Sequence, residues 1–170
     1  MLDSILSRRS CKAYKPDMVP EEIINKIIEA GTYAASGMGK QAATIVAVTN
    51  KEVRDKLSKM NADIMGAGID PFYGAPVVLV VLADKSVATH VYDGSLVLGN
   101  MMVAANDLGI GSCWIHRAKE EFESEEGKKI LKDAGVDGDL EGIGHLVIGY
   151  PAADPAPSKP RKDNYVYYIK

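Results

Sequence analysis

Arg8-Arg9-Ser10-Cys11-Lys12 packs three cations and a hydroxyl into five residues. Guanidinium groups grip phosphate or carboxylate oxygens in pairs, and lysine adds a point charge. The same groups can donate to an electron-rich ring carbonyl or nitrogen and stabilise negative charge there. A solvated helix end would use the same residue types, so the cluster alone leaves both readings open. Other chemistries find less support. His90, His116 and His145 form no His-x-x-x-His pair, and three scattered histidines do not define a zinc site. Cys11 and Cys113 match no metal or redox spacing, and Cys11 has no evident base partner. No Gly-x-Ser-x-Gly elbow occurs. Asp137-Gly138-Asp139 lacks the remainder of a calcium loop. The pairs Gly37/Gly39, Gly109/Gly111 and Gly142/Gly144 are never completed to Gly-x-Gly-x-x-Gly after a strand, and the P-loop is absent. If a chain with no nucleophile, metal or dinucleotide fingerprint of its own is an enzyme, an organic cofactor supplies its reactivity.

The elements that must position these residues follow from hydrophobic periodicity. Asp3 can cap a short helix that runs into Arg8-Arg9-Ser10. Pro20 followed by Glu21-Glu22 suits a helix start, and Ile23, Ile24, Ile27, Ile28, Ala30 and Ala34 trace one face of a helix stopping near Ser36-Gly37. Thr44–Thr49 reads as a strand, Lys51–Met65 as a helix and Ile69–Gly74 as a loop. Pro76–Ala83 (PVVLVVLA) is too apolar for a strand with one wet face. Asp93–Leu108 is apolar around most of its circumference, which places a helix in a core or a subunit interface. Ser112–His116 is a short strand, Glu120–Ala134 a charged helix, and Gly142–Tyr150 another buried strand. Strands mixed with as many helices imply one sheet covered on both faces.

The C-terminus has a different texture. Pro151, Pro155, Pro157 and Pro160 make an extended arm, and Val166–Ile169 (VYYI) could form a last strand. Ten extended residues reach about 30 Å, far enough to pair with a sheet edge in a second subunit. The arm could equally fold back on its own domain. Charge is also uneven. The net −3 hides +3 over residues 1–15 (Arg8, Arg9, Lys12, Lys15 against Asp3) and +3 over residues 156–170 (Lys159, Arg161, Lys162, Lys170 against Asp163). The acidic body between them argues against a nucleic-acid binder, which needs a broad basic face. The 170 residues, 46% hydrophobic and 25% charged, fit one domain spanning 1–170, with residues 151–170 as its arm. There is no room for separate cofactor and substrate domains. No apolar run is long enough for a membrane span, and the N-terminus is too polar for a secretory signal. A reducing cytoplasm is the simplest setting.

Four segments in order resemble the FMN-dependent nitroreductase family from about Ile5 to Tyr168. Arg8-Arg9-Ser10-Cys11-Lys12 is similar to its N-terminal Arg-x-Ser-x-Lys/Arg signature. Ala35-Ser36-Gly37-Met38-Gly39-Lys40-Gln41 is similar to its Pro-Ser-x-x-Asn-x-Gln stretch. Asp93-Gly94 through Asn100, then Leu108-Gly109-Ile110-Gly111-Ser112-Cys113-Trp114-Ile115, resembles the core helix and following strand of its smaller members. Ile148-Gly149-Tyr150-Pro151 and the arm with Lys159 and Arg161 complete the match. The departures are Gly39 where the family usually has Asn, Ala42-Ala43 for Pro-Trp, His116 or Arg117 where Glu or Gly is common, and a short Gly-rich stretch between Met65 and Phe72.

The resemblance implies an α+β fold. This is a three-layer α/β/α sandwich around a central mixed, mainly antiparallel sheet of four to five strands, with the C-terminal strand exchanged in a homodimer. It implies bound FMN, with NADH or NADPH as electron donor and a nitro compound, quinone or similar small molecule as acceptor in ping-pong hydride transfer. Catalysis would be flavin-borne, with no metal. Arg8 and Lys12 would face the pyrimidine edge and ribityl chain. Arg9 and Ser10 would bind near the phosphate, joined by Lys159 and Arg161. Ser36, Gly37, Gly39 and Gln41 would line the ring from the partner subunit. Trp114, Ile115, His116 and Arg117 would pass beside it. A flavin storage, sensing or processing protein without this turnover is the alternative, and a plain dimeric interaction domain a third reading. No nucleic-acid or membrane partner is implied.

Overall fold

A computed structural model describes residues 2–170. Its centre is β2 (Val77–Asp84), whose continuous apolar run leaves no face for water. Odd-numbered Val77, Leu79, Val81 and Ala83 pack into one core, and even-numbered Val78, Val80 and Leu82 into another. This is the period-2 alternation of a strand with both faces covered. On the first face lie α2 (Glu21–Thr32), contributing Ile24 and Ile27, and α4 (His90–Asp107), contributing Leu98 and Met101. On the second lie α3 (Lys51–Met65), contributing Leu57, and α5 (Ala118–Glu123), contributing Phe122. Ile130 and Leu131 of α6 (Glu125–Asp133) pack against that second core. Three layers result.

The sheet runs β1 (Ala43–Val48), β2, β4 (Leu140–Gly149), β3 (Gly111–Ile115), and every neighbouring pair is antiparallel. The parallel component is one isolated bridge, Ser10 to Ser112, which holds the N-terminal segment against β3. Cys11 N–H completes the join by donating to Ser112 O at 2.9 Å.

Several boundaries differ from the sequence reading. Asp3 lies in the first turn of α1 (Leu2–Ser7) rather than ahead of it. Helix α2 stops at Thr32, and a separate 3-10 turn occupies Gly37–Gly39. Helix α4 begins at His90, a turn before Asp93. The charged helix anticipated over Glu120–Ala134 is two helices. Ser124, extended at ψ 155, breaks it and caps α6 by accepting from Gly127 N–H. Serine followed by two acids is a strong helix start, and that local signal wins over continuous helix. Val166–Ile169 forms no strand within the single chain, and its side chains are exposed.

Candidate active site

The exit of β3 and the N-terminal segment form one cleft of about 350 Å³. Ser10 and Lys12 line one part of it, and Trp114, Ile115, His116 and Arg117 another. The Ser10–Ser112 bridge brings these two groups together across more than a hundred residues of chain. The loop after α3 forms another wall of the cleft through Ile69, Pro71 and Tyr73. Asp70 organises that loop by accepting Phe72 N–H (2.9 Å), Gly74 N–H (2.8 Å) and Arg54 Nη2 (2.6 Å), with Ser58 Oγ as a fourth donor. Burial alone would push the Asp70 carboxyl up. The Ser58, Arg54 and backbone hydrogen bonds outweigh it and hold the group below its ordinary value. The loop thereby presents Tyr73, in the left-handed region at φ 55, with Lys12 Nζ 5.9 Å from its ring centroid.

The electrostatics of this cleft favour an anion. No carboxylate is among its lining residues, and its formal charges are Lys12 and Arg117. Burial pushes the Cys113 thiol up, while a bond from Ser10 and the charges of Lys12 and Arg8 pull the other way. Arg8 Nη1 is buried and has no hydrogen-bond partner among the described residues. A buried donor left unpaired is costly, so a ligand oxygen would be welcome there. Arg9 is used differently. Its Nη1 donates to Leu6 O (2.9 Å) and Arg8 O (2.7 Å), which ties down the end of α1. The helix-end reading of the basic cluster is therefore right for part of it. Arg9 still lines a second cleft of about 370 Å³ with Ser10, Lys12 and Pro155 at the base of the arm.

The second motif sits elsewhere. Ser36 Oγ accepts Gln41 N–H at 2.9 Å, and Gly37 N–H donates to Asp93 Oδ1 at 3.1 Å. Asp93 is buried in the first turn of α4, where the helix dipole favours a carboxylate. Met38 (φ 53), Gly39 (φ 66) and Gln41 (φ 50) all occupy the left-handed region, so the loop is tightly bent. Only glycine takes that conformation freely, and it stands at the middle position where the family usually has Asn. Ser36 and Gln41 line a cleft of about 270 Å³ with Ile28, Ala34, Asp93 and Val97. None of these residues lines the cleft that holds Lys12 and Trp114. One chain does not unite the two halves of the expected site. Lys159 and Arg161 lie exposed on the arm and make no ion pair with another described residue.

The family model for the nitroreductase family matches residues 5–150. The chain belongs to the nitroreductase family. Among solved structures, a nitroreductase with bound FMN from Bacteroides fragilis superposes with a TM-score of 0.90 at 26% identity, covering 99% of this chain and 98% of that one. A nitroreductase with bound FMN from Desulfitobacterium hafniense gives 0.86 at 26% identity, covering 99% and 100%. Among curated relatives, the FMN reductase (NAD(P)H) of Bacillus subtilis is 29% identical, the match taking in 95% of this chain and 69% of that protein.

Sequence reasoning missed the residues behind the cleft at the exit of β3. Asn61, Glu121 and His145 are fully buried polar groups. Asn61 could have been noticed, because Arg54, Leu57, Ser58 and Asn61 share one helical face that Leu57 marks as inward. Tyr73 carries no such signal. Its place depends on the Asp70 loop, which has no periodicity to read.

Proposed function

We propose that this chain is an FMN-dependent oxidoreductase that uses NADH or NADPH to reduce nitro compounds, quinones or similar acceptors by ping-pong turnover. The buried Arg8 Nη1, without a partner among the described residues and two positions before Ser10 of the cation-lined, aromatic-walled cleft, carries this reading. A planar ring with electron-rich oxygens and nitrogens fits that donor set. Bound there, FMN would supply the redox chemistry, hydride acceptance from the nicotinamide and two-electron delivery to the acceptor. For a nitro group the net change is balanced as nitro compound, NAD(P)H and one proton giving nitroso compound, NAD(P)⁺ and water.

The chain's own part is to bind, orient and hold charge. Arg8 and Lys12 donate toward the pyrimidine edge, where negative charge grows on reduction. Arg9 and Ser10, with Lys159 and Arg161 from the arm, hold the phosphate. Trp114, Ile115, His116 and Arg117 flank the ring. Ser36, Gly37, Gly39 and Gln41 complete the seat from a second copy of the chain. Two observations support this pairing. The halves lie in separate clefts of one chain. The outer face of α4 (Tyr92, Leu96) and the arm's Tyr165, Val166, Tyr167, Tyr168 and Ile169 leave apolar surface exposed. The C-terminal segment exchanged between copies would cover part of it. No helix among the described residues is long and apolar enough to cross a membrane, and a cytoplasmic setting is part of the same proposal.

A visible spectrum of the purified protein, followed by anaerobic addition of NADH or NADPH, tests the assignment. Flavin absorbance that bleaches on addition is the expected outcome. A yellow protein that neither nucleotide bleaches would instead be a flavin-binding protein without this turnover. A colourless protein that ignores added FMN would sink both readings.

A further inference from the structure

Arg117 stands at the exit of β3 with φ 76 and ψ 9, in the left-handed region. A non-glycine residue there carries backbone strain that glycine would avoid. The position is the N-cap of α5, yet the side chain makes no capping bond. Helix geometry therefore does not explain an arginine at this point. Its stem is nevertheless fixed. Arg117 Nε donates to Asn61 Oδ1 at 3.0 Å, and Asn61 Nδ2 donates to His116 O at 2.8 Å. One fully buried amide thus grips both residues of the turn. Asn61 Nδ2 also donates to Glu121 Oε1. Glu121 Oε2 lies 3.1 Å from His145 Nε2, close enough to pair electrostatically, although not aligned as a hydrogen bond. A core carboxylate, a core amide and a core imidazole are an expensive way to hold one turn.

What the turn presents is a guanidinium whose Nη1 and Nη2 bond to no other described residue. It lines the cleft beside Trp114, Tyr73 and Lys12, and no carboxylate shares that lining. A fork held by Nε, with both Nη groups free, is shaped to take a carboxylate by two hydrogen bonds. We propose that Arg117, positioned by Asn61, is a preset anion clamp that makes this site favour aromatic electron acceptors bearing a carboxylate. The proposal rests on the flavin reading above, in which residues 114–117 flank the ring, and an acceptor must lie against that ring to receive its electrons.

The test compares 4-nitrobenzoate with the neutral 4-nitrobenzamide as acceptors, and benzoate with benzamide as calorimetric ligands, using FMN-loaded protein at low ionic strength. Arg117→Gly removes the clamp and relieves the left-handed backbone, so it should fold. Arg117→Lys keeps the charge but not the fork. The wild type should favour 4-nitrobenzoate by about tenfold or more in kcat/KM, the typical weight of one charged hydrogen-bond pair. Arg117→Gly should bring that ratio near unity, chiefly through KM, and weaken benzoate by a similar factor. Arg117→Lys should restore only part. Asn61→Ala should lower the ratio in the same direction, the mark of a positioning residue. An equal preference in wild type and Arg117→Gly overturns the clamp. So does a shift of the flavin midpoint potential in Arg117→Gly with the ratio intact, because the guanidinium would then serve the ring itself. If the loaded protein reduces neither acceptor, the reading of function fails, and the benzoate titration still decides the clamp.

Discussion

Arg8 and Arg9 are neighbours in sequence and divide the work between them. Arg9 closes the end of α1 by bonding to two carbonyls, while Arg8 keeps a buried Nη1 without a partner. Arg8 is the one that keeps a buried donor without a partner among the described residues. Arg8→Ala should therefore weaken FMN binding by roughly 10- to 100-fold, the weight of a lost charged hydrogen bond of about 1.5–3 kcal/mol. Fluorescence titration of FMN into flavin-free protein measures this, and unchanged affinity would remove Arg8 from the site. Composition could find the cluster, and the spacing of Ser10 and Lys12 could place it near an anion. It could not tell which guanidinium was free, because that depends on how α1 ends. Arg117 was legible as a departure from the family pattern. Its anchor was not, because Asn61 and Glu121 lie 56 and 4 residues away in sequence and converge only through packing.

At the scale of elements, the loop between α3 and β2 forms a wall of the cleft, and Asp70 is its organiser. The folded protein holds the Asp70 carboxyl below its ordinary value despite burial that pushes it up. A depressed carboxylate stabilises the fold in full above its unfolded pKa, near about 4, and the contribution is lost as pH falls through the folded value. Urea midpoints measured from pH 7 down to pH 2.5 should hold steady to about pH 4 and then drop. Asp70→Asn should start lower and drop less steeply. Identical acid limbs for the two proteins would show that Asp70 does not carry this effect. Strands and long helices were readable because β2 is uniformly apolar and α3 has a clean helical face. The break at Ser124 was harder, because Glu120 to Asp133 has helical composition throughout. The cap bond from Gly127 N–H to Ser124 Oγ decides it.

For the whole molecule, the arm is the element whose role one chain leaves open. Its last residues are almost fully exposed, with Ile169 at 104% and Tyr168 at 83%. Large apolar groups left in water in this way call for a covering surface. If the proposed exchange holds, ending the chain at Pro151 should leave the four-stranded domain folded but monomeric and without FMN. Sedimentation velocity and flavin content measure the two effects. A truncated protein that stays dimeric and yellow would show that the arm neither exchanges nor binds phosphate. The sequence made the arm visible through its prolines and its separate +3 charge, but Val166–Ile169 finds no strand partner in the single chain.

The strand order carries a consequence for how this protein is made. β4, the last strand to be synthesised, sits between β2 and β3 and bonds to both. Until it emerges from the ribosome, β2 has β1 along one edge and nothing along the other. The nascent chain therefore carries an open, strongly hydrophobic sheet edge for some sixty residues of translation. Such edges recruit other strands indiscriminately. Closure comes late and from far along the chain, a contact pattern that slows folding. Stalled or shortened products ending before Leu140 are thus the species from which aggregation of this protein would begin.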